Sequence, residues 1–298
     1  MPMVQWYPGH MAKATRLIRE RLKQVDVVFE LLDARIPSSS RNPQIDAIIG
    51  PKPRLVIFNK ADLADPEATK AWMAWFAQAK QPVLPLDAVS GAGVAKIVPQ
   101  CEVLLREKRQ AWQKKGVKPP PIRAMILGIP NVGKSTLINR LLSRKAAKTG
   151  NRPGVTQQQQ WFSVQGKLQL LDTPGVLWPK FEDADVGYRL AVTGAIKDEI
   201  LDVTEVALYA LRLLRERYAS LLFQRYRLPE EDAEPLAWLE AIGRQRGCLM
   251  SGGAVDFEKA AAVFLHDLRT GKIGRITLEW PPAHGDVHEG EEKVHGVV

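Results

Sequence analysis

The amino-acid sequence predicts an α/β fold: a doubly wound, mostly parallel sheet over residues 1–180, followed by a smaller all-helical domain over 181–280. Three observations lead there. Short apolar, β-rich runs alternate with helical patterns through the first 180 residues, as in a chain that winds helices over both faces of a parallel sheet. Beyond about residue 180 only helical periodicity remains. The 298 residues leave room for two domains, since domains commonly run to about 100–200 residues.

Taken in order, the strands are expected at Val27–Leu32, Leu55–Phe58, Pro82–Leu86, Ile122–Leu127 and Leu168–Leu171, each a short apolar run. Trp161–Val164 adds another, and the polar Gln165-Gly166-Lys167 that follows reads as a hairpin turn, giving the sheet one antiparallel edge pair. A helical pattern covers 94–113. It runs into Lys114-Lys115-Gly116-Val117-Lys118-Pro119-Pro120-Pro121, whose helix breakers make an exposed linker. The C-terminal helices are expected at 203–222, 232–246 and 256–269, the last closed by Gly271. Residues 281–298, rich in Pro, Gly, His and Glu, have little to bury and are expected to form a disordered tail.

Composition narrows the function classes. Hydrophobic residues at 45% and charged residues at 25% are ordinary for a soluble globular protein, and no apolar run approaches the roughly 18 residues of a membrane span. The N-terminal Met1-Pro2-Met3-Val4-Gln5-Trp6-Tyr7 lacks the basic region and apolar core of a secretory signal, so a cytoplasmic protein without a membrane part is expected. Cys101 and Cys248 are too few and too far apart for a zinc site or a disulfide framework. The net charge of +9 is unevenly spread: residues 1–195 hold 29 Lys+Arg against 15 Asp+Glu, residues 196–298 only 13 against 18. An excess of that kind suits a polyanionic partner such as RNA, although part of it serves bound phosphates and part is solvated surface.

Gly128-Ile129-Pro130-Asn131-Val132-Gly133-Lys134-Ser135 has the form G-x-x-x-x-G-K-[ST], between the strand Ile122–Leu127 and a helix expected over Lys134–Leu142. Glycines let backbone N–H groups, among them those of Val132 and Thr136, converge on phosphate oxygens, and the helix N-terminus adds positive charge. Lys134 then reaches the β and γ phosphates and the Ser135 hydroxyl ligates Mg²⁺. The base is set by Asn59-Lys60-Ala61-Asp62, directly after the strand Leu55–Phe58. Guanine presents two adjacent N–H donors that the Asp62 carboxylate can accept together, and adenine does not. Asn59 ties this segment to its surroundings while the Lys60 stem lies across the ring. Ser90-Gly91-Ala92-Gly93 closes over the base through Ser90, Gly91 and Ala92. Asp172-Thr173-Pro174-Gly175 has the form D-x-x-G, in which Asp172 holds Mg²⁺ through water and the Gly175 N–H meets the γ-phosphate. Thr156, in the polar loop Asn151 to Gln160, is the expected second ligand of Mg²⁺ and γ-phosphate. GTP or GDP with Mg²⁺ is therefore the expected ligand.

These segments occur in a permuted order, with the base-reading pieces ahead of the phosphate loop. That order, with Trp6-Tyr7-Pro8-Gly9-His10-Met11-Ala12-Lys13-Ala14, Asp33-Ala34-Arg35-Ile36-Pro37 and Gly271-Lys272-Ile273-Gly274-Arg275, resembles the circularly permuted GTPases of the YlqF type, the ribosome biogenesis GTPase A family, from Gln5 to about Pro281. The resemblance implies GTP hydrolysis, assistance in late assembly of the large ribosomal subunit, a helical C-terminal domain that contacts ribosomal RNA, and a monomer away from the ribosome. It implies that His10 orients the attacking water, because the residue after Gly175 is Val176, where Ras-like proteins have a glutamine. Asn131 in the phosphate loop resembles the asparagine of potassium-activated GTPases, which implies that it helps hold a K⁺ beside the phosphates. Arg212, Arg215, Arg217, Arg225, Arg227, Arg244 and Arg246 are candidate RNA contacts, as are Arg16, Arg19, Arg21 and Lys23. Two other readings stay open at this point: a GTP-regulated RNA-binding scaffold with negligible turnover, and a GTPase that acts on tRNA or a protein partner.

Overall fold

The computed structural model describes residues 8–142, 161–173, 183–196, 198, 202–229 and 233–282. Its centre is a six-stranded sheet in the order β3-β2-β1-β4-β6-β5, with β1 Val27–Asp33, β2 Arg54–Asn59, β3 Val83–Pro85, β4 Ile122–Leu127, β5 Trp161–Val164 and β6 Leu168–Leu171. All neighbours are parallel except β5 and β6, whose antiparallel register pairs Val164 with Leu168 and Trp161 with Leu171. The expected hairpin turn is there: Lys167 N donates to Val164 O at 3.0 Å, and the two central residues of that turn, Gln165 and Gly166, are both at positive φ.

Every residue of β1 is buried, which is why it reads as a near-continuous apolar run: both faces of a central parallel strand are covered. Its two polar residues are Glu30 and the terminal Asp33; Glu30 is matched by Arg54 Nη1 at 2.9 Å and Arg41 Nε at 3.3 Å. One face carries α1 (Pro8–Leu22) and α2 (Ile45–Ile49), whose Ile18, Leu22, Ile45 and Ile48 pack on Val28, Met125 and Leu171. At the β2 end, α3 (Pro66–Gln78) adds Trp72 and Phe76 against Val56 and Phe58. Its start is set by Asp65, which accepts from the Glu67 and Ala68 N–H groups, and by Pro66 in the first turn, a cap that contributes about 1 kcal/mol.

The helical pattern expected over 94–113 is broken. A 3₁₀ turn at Val94–Lys96 leads into α4 (Ile97–Leu104), and at Leu105 the chain turns into α5 (Arg106–Lys114), none of whose side chains is buried. After β4, the phosphate loop opens α6 (Lys134–Leu142) as expected. The C-terminal part contains α7 (Ala184–Val192), α8 (Val203–Arg225), α9 (Pro235–Gln245) and α10 (Phe257–Arg269); α8 and α10 begin at Asp202 and Asp256, which cap Glu205 N and Lys259 N at 3.0 Å each. Helix α8 extends past the expected end at 222 and bends at Tyr218, which has φ −129°. The bend aims the Tyr218 hydroxyl at the α3 cap residue, donating to Asp65 Oδ2 at 2.9 Å. The buried apolar residues of these helices form one continuous core with β1, β2 and β4. Residues 283–298, which include nearly all of the expected tail, lie outside the described residues.

After α10 the chain returns to the sheet as an extended strap, 272–280. Ile276 N donates to Leu63 O at 2.9 Å, Leu278 N to Arg35 O at 2.8 Å, and Trp72 Nε1 to Glu279 O at 3.0 Å. The Glu279 carboxylate, buried and pushed up from the usual range by that burial, accepts from Ser39 N and Ser39 Oγ.

Candidate nucleotide site

The strand order reverses direction between β1 and β4, since the chain steps from β1 outward to β2 and β3 and then returns to lay β4 on the other side. Open parallel sheets bind ligands at such a point, beyond the carboxyl ends of the strands. The loops after β2, β3, β4 and β6 all leave that same edge, and they carry 59–62, 87–93, 128–133 and 172–173.

The phosphate-type loop needs its glycines. A Cβ on Gly128 would sit 2.6 Å from Leu31 O, and one on Gly133, at φ +102°, would sit 2.2 Å from Asn59 Nδ2. Gly133 is therefore where the loop makes room for the base-type segment. Asn59 uses that room: its Nδ2 donates to Val132 O at 2.7 Å while its Oδ1 accepts from Ala88 N at 3.0 Å. One buried amide thus joins three loops that are distant in the chain. Lys134, also buried, donates from Nζ to Gly128 O at 2.9 Å and Ile129 O at 2.8 Å, so its ammonium lies within the loop's own curve. Burial pulls its pKa down to about 8, against the opposing charge of Asp172. Asn131, at φ +57°, donates from Nδ2 to Gly194 O at 2.8 Å and so joins the loop to the turn after α7. Ser135 and Thr136 are half-buried in the first turn of α6.

On the base side, Asp62 is exposed at the crevice edge, and its carboxyl is raised by partial burial and by the neighbouring Asp87. Lys60, at φ +60°, sends its ammonium to Asp33 Oδ2 at 2.8 Å. The 90–93 loop is shaped by Asp87, whose carboxylate accepts from Val89 N at 2.7 Å and Ser90 N at 2.9 Å, and Arg140 Nε of α6 reaches Ala88 O at 3.3 Å. Gly93 is required there because a Cβ would meet Pro85 O at 2.7 Å. Asp172 is buried at the end of β6, beside Thr173, whose hydroxyl donates to Ile126 O and ties this loop to β4.

The segments 59–62, 90–93 and 128–136 are thus brought together, with Asp172 at the end of β6. Thr156 and Gly175 lie outside the described residues, and of His10 only its position in the first turn of α1 is described. Two arginines weighed as RNA contacts, Arg225 and Arg246, are held on the buried Asp267 at 2.8 and 3.2 Å, whereas Arg244 stays exposed in a surface pair with Glu240 at 2.7 Å. Sequence reasoning found no role for Asp33, Arg35 or Arg275. The signal for Asp33 was available, since it is a carboxylate at the carboxyl end of a central strand; the place of Arg275, 213 positions beyond Asp62, had none.

A phosphate loop at the switch point, joined through one asparagine to an Asn-Lys-x-Asp segment that precedes it in the chain, defines a circularly permuted GTPase. Residues 123–234 match the family described as 50S ribosome-binding GTPase; the match begins in β4 and excludes 59–62, as permutation demands. The chain belongs to the ribosome biogenesis GTPase A family: it is 52% identical over 295 residues to the Bacillus cereus protein of that name (99% of this chain, 100% of the other) and 56% identical over 279 residues to that of Priestia megaterium (93% and 97%). Among solved structures it is similar to GDP-bound TM YlqF (TM-score 0.66, 27% identity, 89% of this chain and 99% of that one). GNP-bound YlqF from T. maritima gives a TM-score of 0.62 at 28% identity over 90% and 98%. The protein binds guanine nucleotides, hydrolyses GTP and is a ribosome biogenesis factor. Among the described residues no helix is long and apolar enough to cross a membrane.

Proposed function

We propose that this GTPase is a switch for late assembly of the large ribosomal subunit, in the cytoplasm, acting as a monomer that docks on ribosomal RNA and leaves after GTP hydrolysis. The observation that carries the nucleotide part is the Asn59 side chain bridging Val132 O and Ala88 N, because it fixes the base-reading loops relative to the phosphate loop. In this reading Asp62 accepts the two guanine donors, the Lys60 stem covers the ring, and backbone N–H groups from Ser90 to Ala92 close the other side. The loop from Gly128 to Thr136 cradles the phosphates, with Lys134 turning its ammonium from loop carbonyls to phosphate oxygens. Thr156 and Gly175 contact the γ-phosphate, and His10 orients the water.

The donor set suits Mg²⁺. Among the described residues there is no cluster of three or more His, Cys, Asp or Glu that could hold a metal by itself, whereas a hydroxyl and a carboxylate completed by phosphates and water are the usual Mg²⁺ partners. Ser135, Asp172 and Thr156 would hold it, and when bound it neutralises charge on the phosphates. Asn131 is the candidate K⁺ partner.

Charge and exposure support helix α1 as the RNA face. Helix α1 buries Ile18 and Leu22 and leaves Arg16, Arg19, Arg21 and the following Lys23 exposed. Residues 181–280 form the helical ribosome-binding unit, joined to the phosphate loop through Asn131 and Gly194. GTP turnover measured with and without purified large subunits, with binding scored over a KCl series, tests the proposal. Stimulated turnover and binding that weakens steeply with salt are expected; unstimulated turnover with no binding to subunits would overturn it.

A further inference from the structure

Two segments matched as family signatures, Asp33-Ala34-Arg35-Ile36-Pro37 and Gly271-Lys272-Ile273-Gly274-Arg275, have so far no assigned role in the nucleotide site beyond the contact of Lys60 with Asp33. They lie at opposite ends of the chain, yet both end on the same four-residue turn. We propose that Asp33 and Arg275 are positioning residues for guanine selection: Asp33 fixes the Lys60 stem, and Arg275 fixes the turn that carries Asp62. The inference rests on the reading that Asp62 accepts the guanine donors.

The geometry at the Asp33 side starts from the sheet. In the β1–β2 register Asp33 is the direct partner of Asn59, and Ala34 N donates to Asn59 O at 2.9 Å. The Asp33 carboxylate accepts from Arg35 N at 3.1 Å and Nε at 2.9 Å on Oδ1 and from Arg35 Nη2 at 2.8 Å on Oδ2, which leaves one lone-pair direction, on Oδ2, for Lys60 Nζ at 2.8 Å. Arg35 thus holds Asp33 as Asp33 holds Lys60. A lysine stem has four free torsions, and it can lie flat over a ring only when both ends are fixed; the sheet fixes one and Asp33 the other.

On the other side, Arg275 bridges the turn. Its Nη2 donates to Ala61 O and its Nε to Ala64 O, each at 2.9 Å, so one planar guanidinium spans the peptide groups on both sides of Asp62. Lysine could not make that bridge, having a single point of donation at the end of its stem. The two glycines of the segment let it lie close: a Cβ on Gly271 would be 2.7 Å from Leu63 Cδ2, and one on Gly274 2.8 Å from Leu221 Cδ1. Asp62 has a short side chain, so the direction of its carboxylate follows the turn backbone. Accepting two base donors at once requires that direction to be held within about 0.5 Å.

Arg275 is exposed and the strap keeps its own bonds through Ile276 and Leu278, so Arg275→Met removes the bridge while leaving the strap anchored. The readout is the ratio of dissociation constants for IDP and GDP, measured by calorimetry, because inosine lacks the exocyclic amino group and so reports the second hydrogen bond to Asp62. Arg275→Met is expected to lower that ratio by about tenfold, the loss of one well-placed charged hydrogen bond. Asp33→Asn should lower GDP affinity in the same sense, and Arg275→Met should change nothing further in an Asp62→Ala background. An unaltered ratio in Arg275→Met, alongside a collapsed ratio in Asp62→Ala, overturns the positioning role alone. If Asp62→Ala itself leaves the ratio unchanged, the base-reading assignment fails, and this inference with it.

Discussion

The phosphate half of the crevice is a local object, consecutive residues from Gly128 to Thr136 between β4 and α6, whereas the base half is assembled from residues 33, 59–62, 87–93 and 275. The first depends on backbone conformation within one loop. The second depends on four segments arriving in register from different parts of the chain. Permutation is tolerated because strand ends, not chain order, bring these segments to the same sheet edge. The two halves meet at one point, where Gly133 admits the Asn59 amide.

The largest effect is expected from Lys134→Ala in the phosphate half. Removing the ammonium proposed to turn from the loop carbonyls to the phosphates should lower single-turnover GTP hydrolysis at least about 10³-fold, with the IDP-to-GDP ratio preserved. A change in that ratio would mean the halves are not separable. Gly133→Ala strikes the junction: a Cβ 2.2 Å from Asn59 Nδ2, at a φ only glycine adopts easily, should weaken GDP binding by roughly 10–100-fold and blur base selection as well. Loss confined to phosphate affinity would contradict the junction.

The smallest effect belongs to the helical part. Asp267 accepts from Arg225, Arg246, Tyr226 and Lys272; burial alone would raise its pKa, but these partners hold it below the usual carboxylate range. A depressed carboxylate contributes stability above its unfolded pKa and loses it as pH falls through the folded value. Asp267→Asn should therefore lower the unfolding midpoint by roughly 2–6 °C at pH 7, with the difference from wild type shrinking below about pH 4. GDP affinity should stay within about twofold, since the Asp267 carboxylate reaches the 271–275 segment at the Lys272 ammonium and the backbone bond from Lys272 N to Asp267 O survives the substitution.

Legibility in the sequence followed the same division. The loop 128–135 and the segment 59–62 were readable because each places all its chemistry in consecutive residues after an apolar strand. The strands and the β5–β6 hairpin were readable for a similar reason, a period set by near neighbours. The break at Leu105 and the bend at Tyr218 were not, because helical patterns run on through both positions; Leu105 is buried in the core and the Tyr218 hydroxyl lies on Asp65, contacts that sequence periodicity does not carry. Helix α3 was expected only as one of the helical patterns that alternate with the strands, and its bounds went unstated although Asp65-Pro66 is a strong start signal. Asp33 and Arg275 could be matched as motifs but not given a task, since their task is defined only by where Lys60 and Asp62 come to lie.

The central claim is that Asp62 reads the base of a nucleotide whose phosphates rest on the Lys134 loop. Xanthine carries a carbonyl where guanine carries its exocyclic amino group, so Asp62→Asn exchanges an acceptor for a donor at that point. Titration of this variant with GDP and XDP should show a preference inverted toward XDP, with both nucleotides still competing for one site. A variant that keeps the wild-type preference for GDP would contradict the account.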